Sequence, residues 1–235
     1  MLLVIDVGNS STRFGIFDNN KLKKNWTIET KNLFKWKPDK SIASLPAIIS
    51  SVVPAASKIL RRKLIRPRFV DARTIKGLKI KLKNKSEIGA DRVVDAYAAI
   101  NLYGIPAIIL DFGTATTFDV ISKKGEYLGG SIAPGIGLSR DVLHERTAKL
   151  PRIEIKAPKN IIGRSTVDAM RSGLVYGYAS MVDGMIERLK DKTGKKTKVI
   201  ATGGYAKLIA KYASGIDIID IDLTLKGLNL IWQKN

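Results

Sequence analysis

Apolar residues along this chain come in short runs that end abruptly at small or polar positions. Residues 2–7 form one such run, interrupted only by Asp6, and residues 13–18 and 24–30 read as two further strands. An apolar strand over 47–53 runs into Pro54. Its fixed φ and missing N–H suit the first turn of a helix over 54–65. A short strand is expected at 68–71, and residues 76–85 read as a basic loop or an edge strand. Val93, Val94, Ala96, Tyr97 and Ile100 fall on or near one face of a helix over 90–102, which Gly104 and Pro106 stop. The opening then repeats, with strands at 107–111, 116–122 and 126–132. After a loop over 133–137 come a helix over 138–149, a connection containing Pro151 and Pro158, and a long helix over 165–192. A strand at 198–201, a helix at 204–212, a strand at 216–220 and a helix at 223–232 complete the chain. Strand meanders followed by helices, done twice, predict an α/β architecture of two related halves, residues 1–105 and 106–235.

The two halves open on one string. Ile5-Asp6-Val7-Gly8-Asn9-Ser10-Ser11-Thr12 matches Leu110-Asp111-Phe112-Gly113-Thr114-Ala115-Thr116-Thr117, and each copy continues into a second apolar run. This pattern predicts a buried strand, a tight turn with little side-chain bulk and a returning strand. The hairpin tip then exposes backbone N–H groups and hydroxyls beside a carboxylate. Glycine lets the main chain approach an anion closely, and successive N–H groups can form an anion-binding concavity. Two such tips imply one phosphate loop per half facing a shared cleft, with the carboxylates holding Mg²⁺ or another cation against the phosphates.

Composition narrows the classes. The chain has no cysteine, which excludes disulfides and thiolate metal sites, and no run long and apolar enough to cross a bilayer. Its start lacks the basic head and cleavage site of a signal peptide, so a cytoplasmic location is expected. The formal charge of +20 would attract polyanions. The lysines and arginines are nevertheless dispersed through turns and helix faces, with no aromatic-rich RNA-binding string. A solvated surface is expected, with no specific nucleic-acid partner and no membrane. A single glutamine and abundant lysine also fit a heat-adapted proteome.

Three further strings carry candidate chemistry. Gly89-Ala90-Asp91-Arg92 opens a helix, where unpaired N–H groups favour anions. Asp91 is either an acidic first-turn residue or a base that takes a proton from a substrate hydroxyl while Arg92 grips an oxygen. Thr202-Gly203-Gly204 lies between a strand and a helix, where it is either a nucleotide-adjacent turn or a geometric necessity. Ser165 or Thr166 caps the long helix, or one of their hydroxyls faces a ligand. That helix carries Ala169, Gly173, Gly177 and Gly184; interior glycine costs up to about 1 kcal/mol each relative to alanine, which points to another backbone packing closely, in the protein's own sheet or in a second subunit. His144, the only histidine, receives no role.

Together these strings resemble the type III pantothenate kinases, members of the acetate and sugar kinase, Hsp70 and actin superfamily. The resemblance also takes in residues 129–135, 148–151, 162–166 and 170–173, and covers nearly the whole chain in order. It implies two duplicated ribonuclease H-like (actin-like ATPase) domains around a central cleft, and ATP-dependent phosphorylation of pantothenate to 4'-phosphopantothenate, the first step toward coenzyme A. By position, Asp6, Val7, Gly8, Asn9, Ser10, Ser11, Thr12 and Arg13 would contact ATP, with Thr114 helping from the second loop and Asp6 a candidate ligand of Mg²⁺. Asp91 would be the general base, Gly89, Ala90 and Arg92 would shape the pantothenate pocket, and Thr166 would reach pantothenate across a homodimer interface. Asp111 would bind the monovalent cation, K⁺ or NH₄⁺. One departure stands out: where the family carries Tyr and Pro in a Y-x-N-P string, this chain has Leu82-Lys83-Asn84-Lys85. Two other functions therefore stand beside the first. One is a kinase of this fold for another small hydroxyl substrate; the other is a non-catalytic, basic nucleic-acid-binding regulator.

Overall fold

The computed structural model describes residues 1–234. By compactness the chain divides into two units. The first comprises residues 1–104, 125–128 and 222–235, and the second residues 105–124 and 129–221.

The first unit is built on a five-stranded sheet. Strands β1 (Leu2–Val7), β2 (Ser11–Asp18) and β3 (Lys21–Glu29) form an antiparallel meander. Strands β4 (Ala47–Ser51) and β5 (Arg68–Val70) add in parallel on the other side of β1, giving the order β3-β2-β1-β4-β5. Side chains alternate across β1 as a strand requires. Leu3, Ile5 and Val7 face a core with Phe14, Leu33, Ala56 and Leu60, the last two from helix α2 (Pro54–Lys63). Val4 and Asp6 therefore point to the opposite face. That face is covered by α3 (Ala90–Tyr103) and by α7 (Leu223–Lys234), which pack on each other and on the sheet. A short β6 (Lys79–Ile80) pairs with the first residues of β9 (Glu126–Pro134), Lys79 opposite Glu126.

The second unit repeats the plan. Strands β7 (Ala107–Phe112), β8 (Ala115–Ile121) and β9 form the meander; β10 (Lys198–Thr202) and β11 (Ile218–Ile219) extend it in parallel, in the order β11-β10-β7-β8-β9. Ile108, Leu110 and Phe112 pack against Met170, Leu174, Ala179, Val182 and Ile186 of the long helix α5 (Thr166–Thr193). Apart from β6, which adds to the outer edge of β9, the two sheets correspond, so the duplication read in the two opening strings extends through the whole meander and both parallel additions.

Several expected elements differ. A helical turn, α1 (Lys40–Ala43), lies where the sequence pattern gave only a variable stretch, with Asp39 Oδ1 capping it by accepting from the Ile42 N–H at 2.9 Å. Helix α4 (Ile136–Glu145) starts earlier and stops short of residue 149; beyond its end Thr147 Oγ1 donates to Leu143 O and accepts the Leu150 N–H at 3.3 Å. His144 joins that turn through Nδ1, 2.8 Å from Leu150 O. The helix expected over 204–212 contracts to α6 (Ala206–Ile209), and the strand over 216–220 to β11. Helix α7, which lies at the end of the second half in sequence, belongs to the first unit.

Candidate functional site

In the first unit the polar groups gather where β1 ends. Asp6 pairs with Arg13 across the hairpin and with Ser50 of β4, so all three side chains share the face covered by α3 and α7. Gly8 N–H donates to Ser11 O at 3.0 Å and closes the tip. Thr30 Oγ1 props the tip from beneath by donating to Gly8 O at 2.7 Å. Thr12 is fully buried, with its hydroxyl 3.0 Å from that of Thr30. Its side chain thus supports the loop from inside. Asn9, Ser10 and Ser11 are exposed at the tip. Arg13 Nη2 donates to Asp222 Oδ1 at 2.7 Å, and Asn25 Nδ2 reaches the same oxygen at 3.2 Å, fastening the loop to the start of α7.

Asp91 enters this cluster from the first turn of α3. Its Oδ1 accepts the Arg92 N–H at 2.8 Å, folding the carboxylate back over Gly89. A Cβ on Gly89 would stand 2.4 Å from that oxygen, so the glycine makes room for the carboxylate. Asp6 feels Asp91 directly. Burial is the main cause that pushes its carboxyl up to about 7, the negative Asp91 adds to it, and Ser50 and Arg13 pull the other way. Asp6 Oδ1 and Ser50 Oγ are enclosed, and neither completes a hydrogen bond. Ser50 is therefore close enough to favour the carboxylate without satisfying it. A buried acceptor left in that state is a place for a cation or a donor from a ligand.

In the second unit Asp111 lies opposite Thr117 on β8 and Thr202 on β10. Gly203 has φ +90°, and a Cβ there would come within 2.4 Å of Asp111 Oδ1; Gly113 flanks Oδ2. The Thr202-Gly203 string thus serves the carboxylate by leaving space around it. Thr116 Oγ1 and Thr202 Oγ1 are buried without a partner. Thr116, opposite Phe112, lies on the other face of the sheet, whereas Thr202 shares the face of Asp111. A carboxylate with that spare hydroxyl and a cradle that a Cβ would fill suits a hard, oxygen-seeking cation. Gly135 N–H donates to Thr114 O at 3.1 Å, holding this second tip under the start of α4.

The two tips differ in one respect that the matched strings hide. Val7 pairs with Thr12 across residues 8–11, whereas Phe112 pairs with Thr116 across residues 113–115. The second loop is one residue shorter. Thr117 therefore shares the face of Asp111, while its counterpart Thr12 turns inward.

No group of three or more acidic, histidine or cysteine side chains suited to a metal is found among the described residues. Mg²⁺ bound through one or two carboxylates and substrate phosphates needs none, so Asp6 fits that use. Ser165 caps α5: its Oγ accepts the Asp168 N–H at 3.1 Å and donates to Asp168 Oδ2 at 2.9 Å, which leaves Thr166 exposed at the first helical position. Ala169, Gly173, Gly177 and Ser180 are exposed along α5, and a Cβ on Gly173 or Gly177 would meet nothing within 4 Å. These glycines are not there to pack on the protein's own sheet. Ser50, Asp222 and Thr30 escaped the reading from sequence, which took Thr202 only as part of a candidate turn. Ser50 is placed by strand register, and Thr30 and Asp222 by hydrogen bonds between distant segments; only the small polar end of β4 hints at one of them.

The sequence profile of the type III pantothenate kinase family matches residues 2–188. The chain is 45% identical over 253 aligned positions to the type III pantothenate kinase of Halalkalibacterium halodurans, covering all of both chains. It is 45% identical to that of Geobacillus thermodenitrificans, covering all of this chain and 98% of the relative. Among solved structures it resembles a Baf family transcriptional activator from Campylobacter jejuni, with TM-score 0.69 and 21% identity over 99% of this chain and 98% of that one. It also resembles an inorganic polyphosphate/ATP-glucomannokinase from Arthrobacter, with TM-score 0.52 and 15% identity over 100% and 99%. These likenesses, with the repeated sheet, identify the fold as the duplicated, actin-like ATPase type. The chain belongs to the type III pantothenate kinase family.

Proposed function

We propose that this chain transfers the γ-phosphoryl group of ATP to the hydroxyl of pantothenate, forming 4'-phosphopantothenate for coenzyme A synthesis in the cytoplasm. The observation that carries the reading is the carboxylate of Asp91, set at a helix start beside Asp6, whose enclosed oxygen lacks a partner. Asp91 takes the hydroxyl proton as the oxygen attacks, and Gly89, Ala90 and Arg92 hold the acid. The loop from Asp6 through Arg13 binds ATP, with Gly8, Asn9, Ser10 and Ser11 offering N–H groups and hydroxyls at the tip and Val7, Thr12 and Arg13 fixing its shape. Thr114 assists from the second loop. Asp6 is the ligand available to Mg²⁺, and Asp111 with the Thr202 hydroxyl the set available to K⁺ or NH₄⁺. The ions, when bound, neutralise phosphate charge.

The chain acts as a homodimer in this reading. The exposed small-residue stripe of α5 supports a close helix contact between copies, and Thr166 at its head reaches the partner's pantothenate. The test is pantothenate-dependent ADP release measured with and without K⁺. Turnover that needs both supports the reading, and ATP consumption indifferent to pantothenate would sink it. Leu82, half-buried where the family has tyrosine, favours a second reading in which another small hydroxyl compound is the acceptor. A panel of pantothenate, pantetheine and sugars under identical conditions separates the two.

A further inference from the structure

Coil residues 156–164 fold over the first turns of α5 and leave a cavity of about 500 Å³. Its wall carries Lys156, Lys159, Arg164 and Arg171 against one carboxylate, Asp168, with Asn160 beside them. That carboxylate is already engaged, by the Ser165 hydroxyl at 2.9 Å and by Arg171 Nη1 at 3.7 Å. Lys156 pairs with Glu154 at 2.8 Å in the open, where such pairs contribute little. Lys159 and Arg164 form no ion pair among the described residues. Like charges around one concavity repel, and the positive end of the 28-residue α5 lies at the same place. An anion bound there would relieve both. On a helical wheel Asp168 and Arg171 lie roughly half a turn around from Gly173, so the cavity and the exposed stripe use different faces of α5.

We propose that this cavity is a second anion site, which takes a phosphate-bearing small molecule and shares no residue with the loops at Asp6 and Asp111. Lysine and arginine together hold phosphate oxygens by charge-assisted bonds, and the volume suits a small ester or diphosphate. The site is independent of the kinase reading, because none of its lining residues belongs to the Asp6, Asp91 or Asp111 strings and the double variant that tests it changes this cavity alone.

Calorimetric titration of the full chain with inorganic pyrophosphate, AMP and phosphopantothenate, at fixed ionic strength, tests it. In the double variant K159E/R164E at least one of the three ligands is expected to weaken by about tenfold or more. K21E/K23E, which changes net charge equally on exposed β3, should bind as wild type does. The ligand that loses most identifies the source of the phosphate. Circular dichroism of K159E/R164E should match wild type, so that lost binding is not lost folding. Unchanged binding of all three ligands in K159E/R164E, or an equal loss in K21E/K23E, overturns the proposal.

Discussion

Replacing Asp91 with asparagine keeps the side chain's size and an oxygen to accept the Arg92 N–H, and removes only the proton acceptor. Turnover should fall by about 10²–10⁴ while KM for ATP and the far-ultraviolet circular dichroism stay near wild type. Wild-type turnover in that variant would mean another group takes the proton. Asp6 makes a different prediction, about stability. Its carboxyl sits near 7 in the fold against 3.8 in an unstructured chain, so the folded state holds this proton more tightly. The resulting stabilisation is fully present below pH 3.8, declines as pH rises toward 7, and is gone above it. The span is at most about 4 kcal/mol. In ligand-free protein Asp6→Asn should flatten the profile between pH 4 and 8 and raise the melting temperature above pH 7; an unaltered profile would refute the assignment. The Asp6, Asp91 and Asp111 strings were legible because each packs its carboxylate and glycine into a few consecutive residues. Ser50 and Asp222 were not, since each meets its partner through pairing of distant segments.

At the level of elements, strands ending in small polar residues were read within a residue or two, because burial on both faces leaves an unbroken apolar run. Short pieces such as α6 and β11 were overextended, since apolar residues at 204–220 pack as turns around Ile209 and Ala213 without completing ladders. The hairpins show the limit most clearly: strings that align residue for residue close across loops of different length, and only hydrogen-bond register decides which threonine faces the carboxylate. Gly203 tests how far that local geometry matters. Gly203→Ala places a Cβ against Asp111 at φ +90°. It should destabilise the protein by about 1–3 kcal/mol and weaken activation by K⁺, seen in thermal melts and in rate against K⁺ concentration. Stability and K⁺ response both at wild-type levels would show that the cradle has no function. On α5, Gly173→Arg adds bulk where nothing lies within 4 Å, so the protomer should fold normally. Light scattering should nonetheless report half the native mass, with KM for pantothenate raised; a dimer unaffected by this change would remove the stripe from the interface.

The whole molecule carries +20, yet the exposed charges are spread over strands and helices of both units, and no described helix is long and apolar enough to cross a membrane. What binds the first unit together is less visible in the chain's order. Its sheet comes from residues 1–104, but the face bearing Asp6 is closed by α7, which arrives after the whole second unit has been made. Leu225, Leu228 and Ile231 are fully buried there, Gly227 lies against Val94 of α3, and Asp222 holds Arg13. Without α7 those apolar surfaces meet water, at roughly 1.5–3 kcal/mol for each large side chain, which exceeds what a small marginal unit can lose. A fragment of residues 1–104 should therefore fail to fold cooperatively. The same fragment with residues 222–235 joined by a flexible linker should show a single sigmoidal denaturant transition. If residues 1–104 alone melt cooperatively with native circular dichroism, α7 is an accessory to this unit and its core does not depend on residues 222–235.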